Sequence, residues 1–301
     1  MPELDSSRLP ENILLRTWKP IACFFLLTLL AYVQVLNFGF SPLDDNILFL
    51  DNFTWFQDPS NIKYIFSDHI AGFYRPILFL SFMADSISGM GSPLSFHLTN
   101  LILHFISAIL VFYLLITLKC SRSISFFSTL IFIVHPINVQ AVSWIPGRND
   151  ILLSIFIIVS FISFVKFSKS YSLLHLFFHV LMYSMALLTK ENAIVLPILC
   201  LLYATLISKD GLKKMYWLPA IIWISITLAW FVYRNIMVGE FAQMDFSNIP
   251  NSILLFIKAM IINTGKIIFP FHQSILSTMA DSATKSYFFL VSSLFVFFFF
   301  I

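Results

Sequence analysis

The sequence predicts an all-α, polytopic membrane helix bundle, on three observations. Hydrophobic residues make up 59% of the 301-residue chain and charged residues only 11%, against roughly a quarter charged in soluble domains. The apolar residues come in long continuous runs, near the roughly 20 residues that cross a bilayer as helix. A transmembrane barrel would instead show alternating segments of about ten residues. Phe alone fills 36 positions, more apolar surface than one water-soluble core of this size hides. The same composition excludes a soluble globular enzyme, a disordered chain and a secreted disulfide scaffold. The three cysteines, Cys23, Cys120 and Cys200, lie in or beside apolar runs without metal-ligand or redox spacing and read as buried thiols.

Residues 1–19 form a polar cytoplasmic segment, and the first apolar run has no small-residue cleavage site, so it reads as a retained signal anchor. About nine transmembrane helices are expected, at 20–38, 97–118, 125–141, 151–167, 172–189, 193–208, 216–237, 252–270 and 286–301. Residues 20–301 then make one transmembrane domain without a C-terminal repeat domain. Its long first outer loop, 40–95, carries short surface helices. Within that loop, 76–95 is apolar but interrupted by Asp85, Gly89, Gly91 and Pro93, and is expected to be a half-embedded or surface helix.

Basic residues set the orientation. With a cytoplasmic N-terminus, 11 of the 18 Lys and Arg face inward and five outward, and Lys258 and Lys266 fall within a span. Most carboxylates go the other way, to the outer face. Because Asp and Glu contribute little to topology, this skew asks for a functional explanation and puts any chemistry on the outer face.

Six polar groups follow along that face. Asp44 and Asp45 are adjacent carboxylates just after the first span; their repulsion raises one pKa and suits a general base or a cation ligand, while the bland alternative is a helix cap. In Phe73-Tyr74-Arg75-Pro76, Arg75 sits on the side that the charge rule disfavours and offers a phosphate a fork of donors; snorkelling is the alternative. His97, Asn100 and His104 share one helix face and are read first as helix–helix hydrogen bonding. The segment from His135-Pro136 through Pro146-Gly147-Arg148-Asn149-Asp150 holds more hydrogen-bonding groups than a short connector needs. Lys190 and Glu191 mark an outer hairpin, and Arg234 lies near the outer end of the seventh span. Together, cations at Arg75, Arg148, Lys190 and Arg234 beside carboxylates at Asp44, Asp45, Asp150 and Glu191 suit a lipid phosphate held next to a carboxylate base.

In this order, Asp44-Asp45, Tyr74-Arg75-Pro76, the His97-to-His104 stripe, His135-Pro136-Ile137 with Gly147-Arg148, and Lys190-Glu191 resemble the transmembrane and tetratricopeptide-repeat O-mannosyltransferases and their bacterial relatives, which are GT-C fold glycosyltransferases similar to protein O-mannosyltransferases. The resemblance spans roughly residues 20–270. This chain has Asn138 and Gln140 where that family often has His and Glu, and it contains no 34-residue helical repeat.

The resemblance implies a GT-C-like bundle and a polyprenyl-phosphate-linked sugar as donor. It implies transfer of a hexose such as mannose to a hydroxyl of an acceptor protein or glycan on the outer or luminal face. It makes Asp44 or Asp45 the catalytic candidate, acting as base in an inverting displacement. Tyr74 and Arg75 become donor-phosphate contacts, helped by Arg148, Lys190 and Arg234. His97, Asn100, His104, His135, Asp150 and Glu191 are expected to support them. No metal ligand set is expected, although a divalent cation on Asp44 and Asp45 is the open alternative among cofactors. Membrane lipid is an expected partner and nucleic acid is not. A multi-pass bacterial inner-membrane location is favoured, or the endoplasmic reticulum membrane if the chain is eukaryotic. From a different class, a transporter or lipid flippase would also carry intramembrane polar groups, and an inactive truncated family member is the third reading.

Overall fold

The computed structural model describes residues 18–42, 44–207, 216–239 and 249–268, with Pro270, Ser286, Leu290 and Val291. The expected cytoplasmic segment 1–19 lies outside them except for Trp18 and Lys19. The candidate span 286–301 lies outside except for three positions. Among the described residues the regular structure is helical, with one isolated antiparallel bridge between Ile70 and Phe73.

The chain divides into two units, Met1–Val134 with Ala141–Glu240, and His135–Gln140 with Phe241–Ile301. The first unit begins with α1 (Lys19–Tyr32), whose first turn holds Pro20, where a missing N–H costs nothing. A 3₁₀ turn, Val33–Asn37, extends it. The short helices α2 (Asp45–Leu48), α3 (Phe53–Phe56) and α4 (Ile62–Ser67) follow, then α5 (Pro76–Ser88) and α6 (Pro93–Thr117). Gly91 makes the α5–α6 turn at φ 72°, and a Cβ there would fall 1.9 Å from the Phe53 ring. Glycine is thus demanded by both backbone and space. Helix α7 (Arg122–Val134) stops just before Pro136, which lacks the N–H needed to continue it. After α8 (Val139–Ser143) come α9 (Arg148–Ser170), α10 (Leu173–Leu187), α11 (Val195–Leu202) with a π-turn at Tyr203–Ile207, and α12 (Trp217–Val238), which ends at Gly239 with φ 72°.

Helix α9 is the hub, packing against α5, α6, α10 and α11. An aromatic cluster of Phe49, Phe56, Phe79, Phe82 and Phe96 joins α2 and α3 to α5 and α6. A second core, with Phe164, Tyr183, Leu196 and Trp223, joins α9 to α10, α11 and α12. A buried polar seam runs through this second core. The Trp223 indole donates to His179 Nε2 at 2.7 Å, so the His179 proton sits on Nδ1, 3.0 Å from the Ser160 carbonyl. The second unit contains α13 (Ile249–Ile268) and the 3₁₀ turn Pro136–Asn138.

Among the described residues, four helical stretches are long and apolar enough to cross a membrane: Lys19–Asn37, Pro93–Thr117, Ile145–Ser170 and Trp217–Val238. Arg122–Val134 taken with Pro136–Ser143 would make a fifth. The protein is a multi-pass helical membrane bundle. Nine full-length spans do not emerge from the described residues. Pro136 interrupts the expected span 125–141, and Leu173–Leu187 and Glu191–Ile207 are shorter apolar helices than the roughly 20 residues a crossing needs.

The segment 40–95 holds the expected short helices, and α5, expected as a half-embedded or surface helix, packs mostly inside the first unit. Eight of its 13 residues are buried, Asp85 among them. The sequence pattern of 76–95 reads as interrupted because Asp85 breaks the apolar run. In the fold that carboxylate has a buried cation as partner.

Candidate functional site

The turn Ile145–Gly147, buried throughout, delivers Arg148 to the first position of α9. Arg148 is 0% exposed. Its Nε donates to Asn100 Oδ1 at 2.7 Å, its Nη1 to Ser81 Oγ at 3.1 Å and its Nη2 to the Phe96 carbonyl at 2.8 Å. The ion pair with Asp85 is 2.5 Å long, and the guanidinium lies over the rings of Phe82 and Phe96. Asp85 also accepts the Thr99 hydroxyl at 2.7 Å. One guanidinium thus ties α5, α6 and α9 together. With all three nitrogens committed inside the protein, Arg148 presents no open face to a headgroup, which departs from the expectation of a phosphate contact. Its partner Asp85 escaped the sequence reading, although a lone carboxylate in an apolar helix is itself a signal of a buried partner.

The polar stripe of α6 works in the same way. Asn100 donates to the carbonyls of Val142 and Trp144 at 3.3 and 3.2 Å, holding the segment that leads to Arg148. His97 Nε2 lies 3.5 Å from the Gly39 carbonyl, and His104 Nε2 lies 3.2 Å from that of Ile133, between the rings of Tyr32 and Phe132. All three anchor loops or helix ends.

The two aspartates separate sharply. Asp44 is exposed, sits at φ 62° and makes no side-chain capping bond to α2. Asp45 is 2% exposed, and its Oδ2 accepts the Ser41 N–H at 2.6 Å. Burial pushes the Asp45 carboxyl up to about 6, and the charge of Asp44 adds to the rise. The Ser41 amide and the Trp144 side chain pull it partly back. Asp45 therefore sits against the same Trp144 whose carbonyl Asn100 holds.

Three further ion pairs form around Lys190 and Glu191. Lys190 Nζ reaches Asp150 Oδ1 at 2.5 Å and Asn149 Oδ1 at 3.2 Å. The adjacent Glu191 stands between two arginines, 2.9 Å from Arg75 Nη2 and 3.8 Å from Arg234 Nε. A backbone bond from Ile77 N–H to the Leu188 carbonyl, 3.2 Å, fixes this hairpin to the first turn of α5. Burial works to raise the Glu191 pKa, but a backbone amide and the charges of Arg75 and Arg234 outweigh it and hold the carboxyl below its usual range. The Arg75 guanidinium also lies 4.4 Å from the Phe73 ring centroid. Both arginines keep a buried Nε–H without an acceptor among the described residues. Tyr74, expected on a phosphate, is 3% exposed and donates to the Phe66 carbonyl at 3.1 Å. Burial, with Tyr233 nearby, raises its hydroxyl to about 12.

His135 belongs to the second unit. Its Nε2 lies 2.9 Å from the Ile267 carbonyl and its Nδ1 accepts the Ile137 N–H at 3.2 Å, a neutral Nε2–H tautomer. Among the described residues no three His, Cys, Asp or Glu side chains come together to hold a metal ion.

Elements distant in sequence thus supply these groups of the first unit: α2 gives Asp45, the residue before α5 is Arg75, α9 gives Asp150, the hairpin after α10 gives Lys190 and Glu191, and α12 gives Arg234. Several proteins similar in sequence carry one name. Tmtc1 of Drosophila melanogaster, called a protein O-mannosyl-transferase, is 32% identical over 129 residues. The human TMTC3 and TMTC1, of the same name, are 30% and 31% identical over 139 and 142 residues. Its curated relatives are protein O-mannosyl-transferases. Each match covers 43–45% of this chain and only 15–16% of the relative, so the chain spans a small fraction of the length of the proteins it resembles. No family profile and no solved structure matches it.

Proposed function

We propose that the chain is a membrane glycosyltransferase that moves a hexose, mannose by the names of its relatives, from a polyprenyl phosphate to an acceptor hydroxyl on a protein or glycan. The supporting observation is the Arg75–Glu191–Arg234 cluster. Two cations share one carboxylate, leaving a surplus positive charge, and each retains a buried Nε–H that makes no hydrogen bond among the described residues, that of Arg234 lying 3.8 Å from Glu191. An unpaired buried N–H is costly, and a phosphate monoanion or dianion is a fitting partner for two guanidinium edges.

Asp45 is the proposed base. Its carboxyl, raised to about 6, is ionised at neutral pH yet basic enough to take a proton as it leaves. The acceptor oxygen bonds to the anomeric carbon while the bond from that carbon to the phosphate oxygen breaks. The electron pair departs with the phosphate, the proton goes to Asp45, and configuration inverts. Arg75 and Arg234 stabilise the charge that grows on the phosphate. Lys190 keeps Asp150 and Glu191 in place, and Arg148 is a positioning residue. With the N-terminus cytoplasmic, this end faces the outside of a bacterial cell or an organelle lumen.

The test is transfer from a radiolabelled polyprenyl-phosphate mannose by detergent-purified chain. Asp45→Asn is expected to lower transfer by about 10²–10⁴-fold while Asp44→Asn retains most of it. Wild-type-like transfer by Asp45→Asn would remove the base assignment.

A further inference from the structure

At the opposite end of α9 from Arg148, about 30 Å away along a 23-residue helix, two hollows adjoin. One, of about 350 Å³, is walled by Thr117, Lys119, Ser168, Lys169 and Tyr203. The other, of about 300 Å³, is walled by Leu114, Ile157, Phe161, Leu202 and Leu206. Tyr203 and Ile207, at the two ends of the π-turn that follows α11, line both. A basic, hydroxyl-bearing cup therefore opens into an apolar trough between α6, α9 and α11.

We propose that this pair of hollows holds one anionic phospholipid, with its phosphate at Lys119 and Lys169 and one acyl chain along the trough. Three features point to that occupant. Both lysines are exposed and neither has an ion pair among the described residues, so among these the cup carries two positive charges. The trough is apolar along its length and meets the cup at shared residues, which matches the chemistry of a headgroup joined to a chain. Arg122 and Lys166 fall at the same end of α7 and α9, where basic residues favour the anionic cytoplasmic leaflet. This inference does not rest on the transferase reading, because the cup lies at the other end of the bundle from Asp45 and Arg75.

Native mass spectrometry of the full chain in detergent tests it, with phosphatidylglycerol and phosphatidylcholine of identical chains, and glycerol 3-phosphate as the chainless headgroup. One phosphatidylglycerol is expected to stay bound about tenfold more than phosphatidylcholine. The double variant Lys119→Gln/Lys169→Gln, two surface changes that leave the cores untouched, is expected to lose that preference. Leu202→Trp, which fills the trough, is expected to lower retention of both lipids. Equal retention of the two lipids by the wild type, or an undiminished preference in the double variant, overturns the proposal. Glycerol 3-phosphate binding as well as the intact lipid shows a free-phosphate site and overturns it too.

Discussion

Arg148 and Arg75 make opposite uses of the same side chain. Arg148 is wholly buried, each of its nitrogens is satisfied by protein, and its carboxylate partner is buried too. Arg75 keeps 13% of its side chain exposed, divides Glu191 with a second arginine and retains an unsatisfied buried N–H. A cation whose donors are all taken holds elements together; a cation with a donor to spare, next to a competing cation, is the one we propose to meet the donor phosphate. Sequence alone gives both the same description, an arginine on the disfavoured side of the membrane.

The comparison breaks first at Arg148. Arg148→Ala leaves Asp85 charged and alone inside the bundle, a loss of about 3–5 kcal/mol, and Arg148→Lys cannot rebuild a four-partner guanidinium. Size-exclusion chromatography should recover little monodisperse protein from either; a well-behaved, thermally normal Arg148→Ala would show that the node is dispensable. Arg75→Ala should do the reverse. It should lower transfer by about 10²–10³-fold with a melting temperature close to wild type, and a collapse in stability instead would make Arg75 a second structural arginine.

The titration of Asp45 sharpens the contrast from another side. Transfer should rise with pH through about 6, being roughly tenfold lower at pH 5 than on the plateau above 7, and this limb should vanish in Asp45→Asn. For stability the sign is opposite. A carboxyl with a raised pKa favours the fold when protonated, so its contribution is fully present below the ordinary aspartate range and is lost as pH rises through about 6. Melting curves of wild type against Asp45→Asn at pH 4.5 and 8 should therefore converge at the lower pH. The smallest effect belongs to Lys190→Gln, since the Asp150 side chain is half exposed; a change of under about 1 kcal/mol is expected.

Much of this was readable in the chain. Continuous apolar runs announce the helical bundle, and of the polar positions Arg75 and Arg234 meet at Glu191 while Lys190 pairs with Asp150; Asp45 stands apart from these pairs, against Ser41 and Trp144. What periodicity does not carry is pairing. Asp85 looks like a defect in an apolar segment until Arg148, 63 residues later in sequence, is brought against it. The stripe His97, Asn100 and His104 is visible at helical spacing, but only its partners show that it fastens loops. Asp44 and Asp45 are equivalent as letters and differ because one turn of backbone at φ 62° leaves the first in water and the second against Trp144. Fewer full spans than nine emerge among the described residues for a related reason: length and apolarity do not report that Pro136 interrupts a run or that α10 stops at 15 residues.

The Arg148 node also has a genealogical consequence. Five side chains or carbonyls, from Ser81, Asp85, Phe96, Asn100 and Thr99, are bound into one arrangement with Arg148. Drift at one such position is tolerated only when the others follow. Aligned descendants of a common ancestor should therefore keep Asp85 and Arg148 or exchange both together, a signature that reading genomes would reveal before any protein is purified.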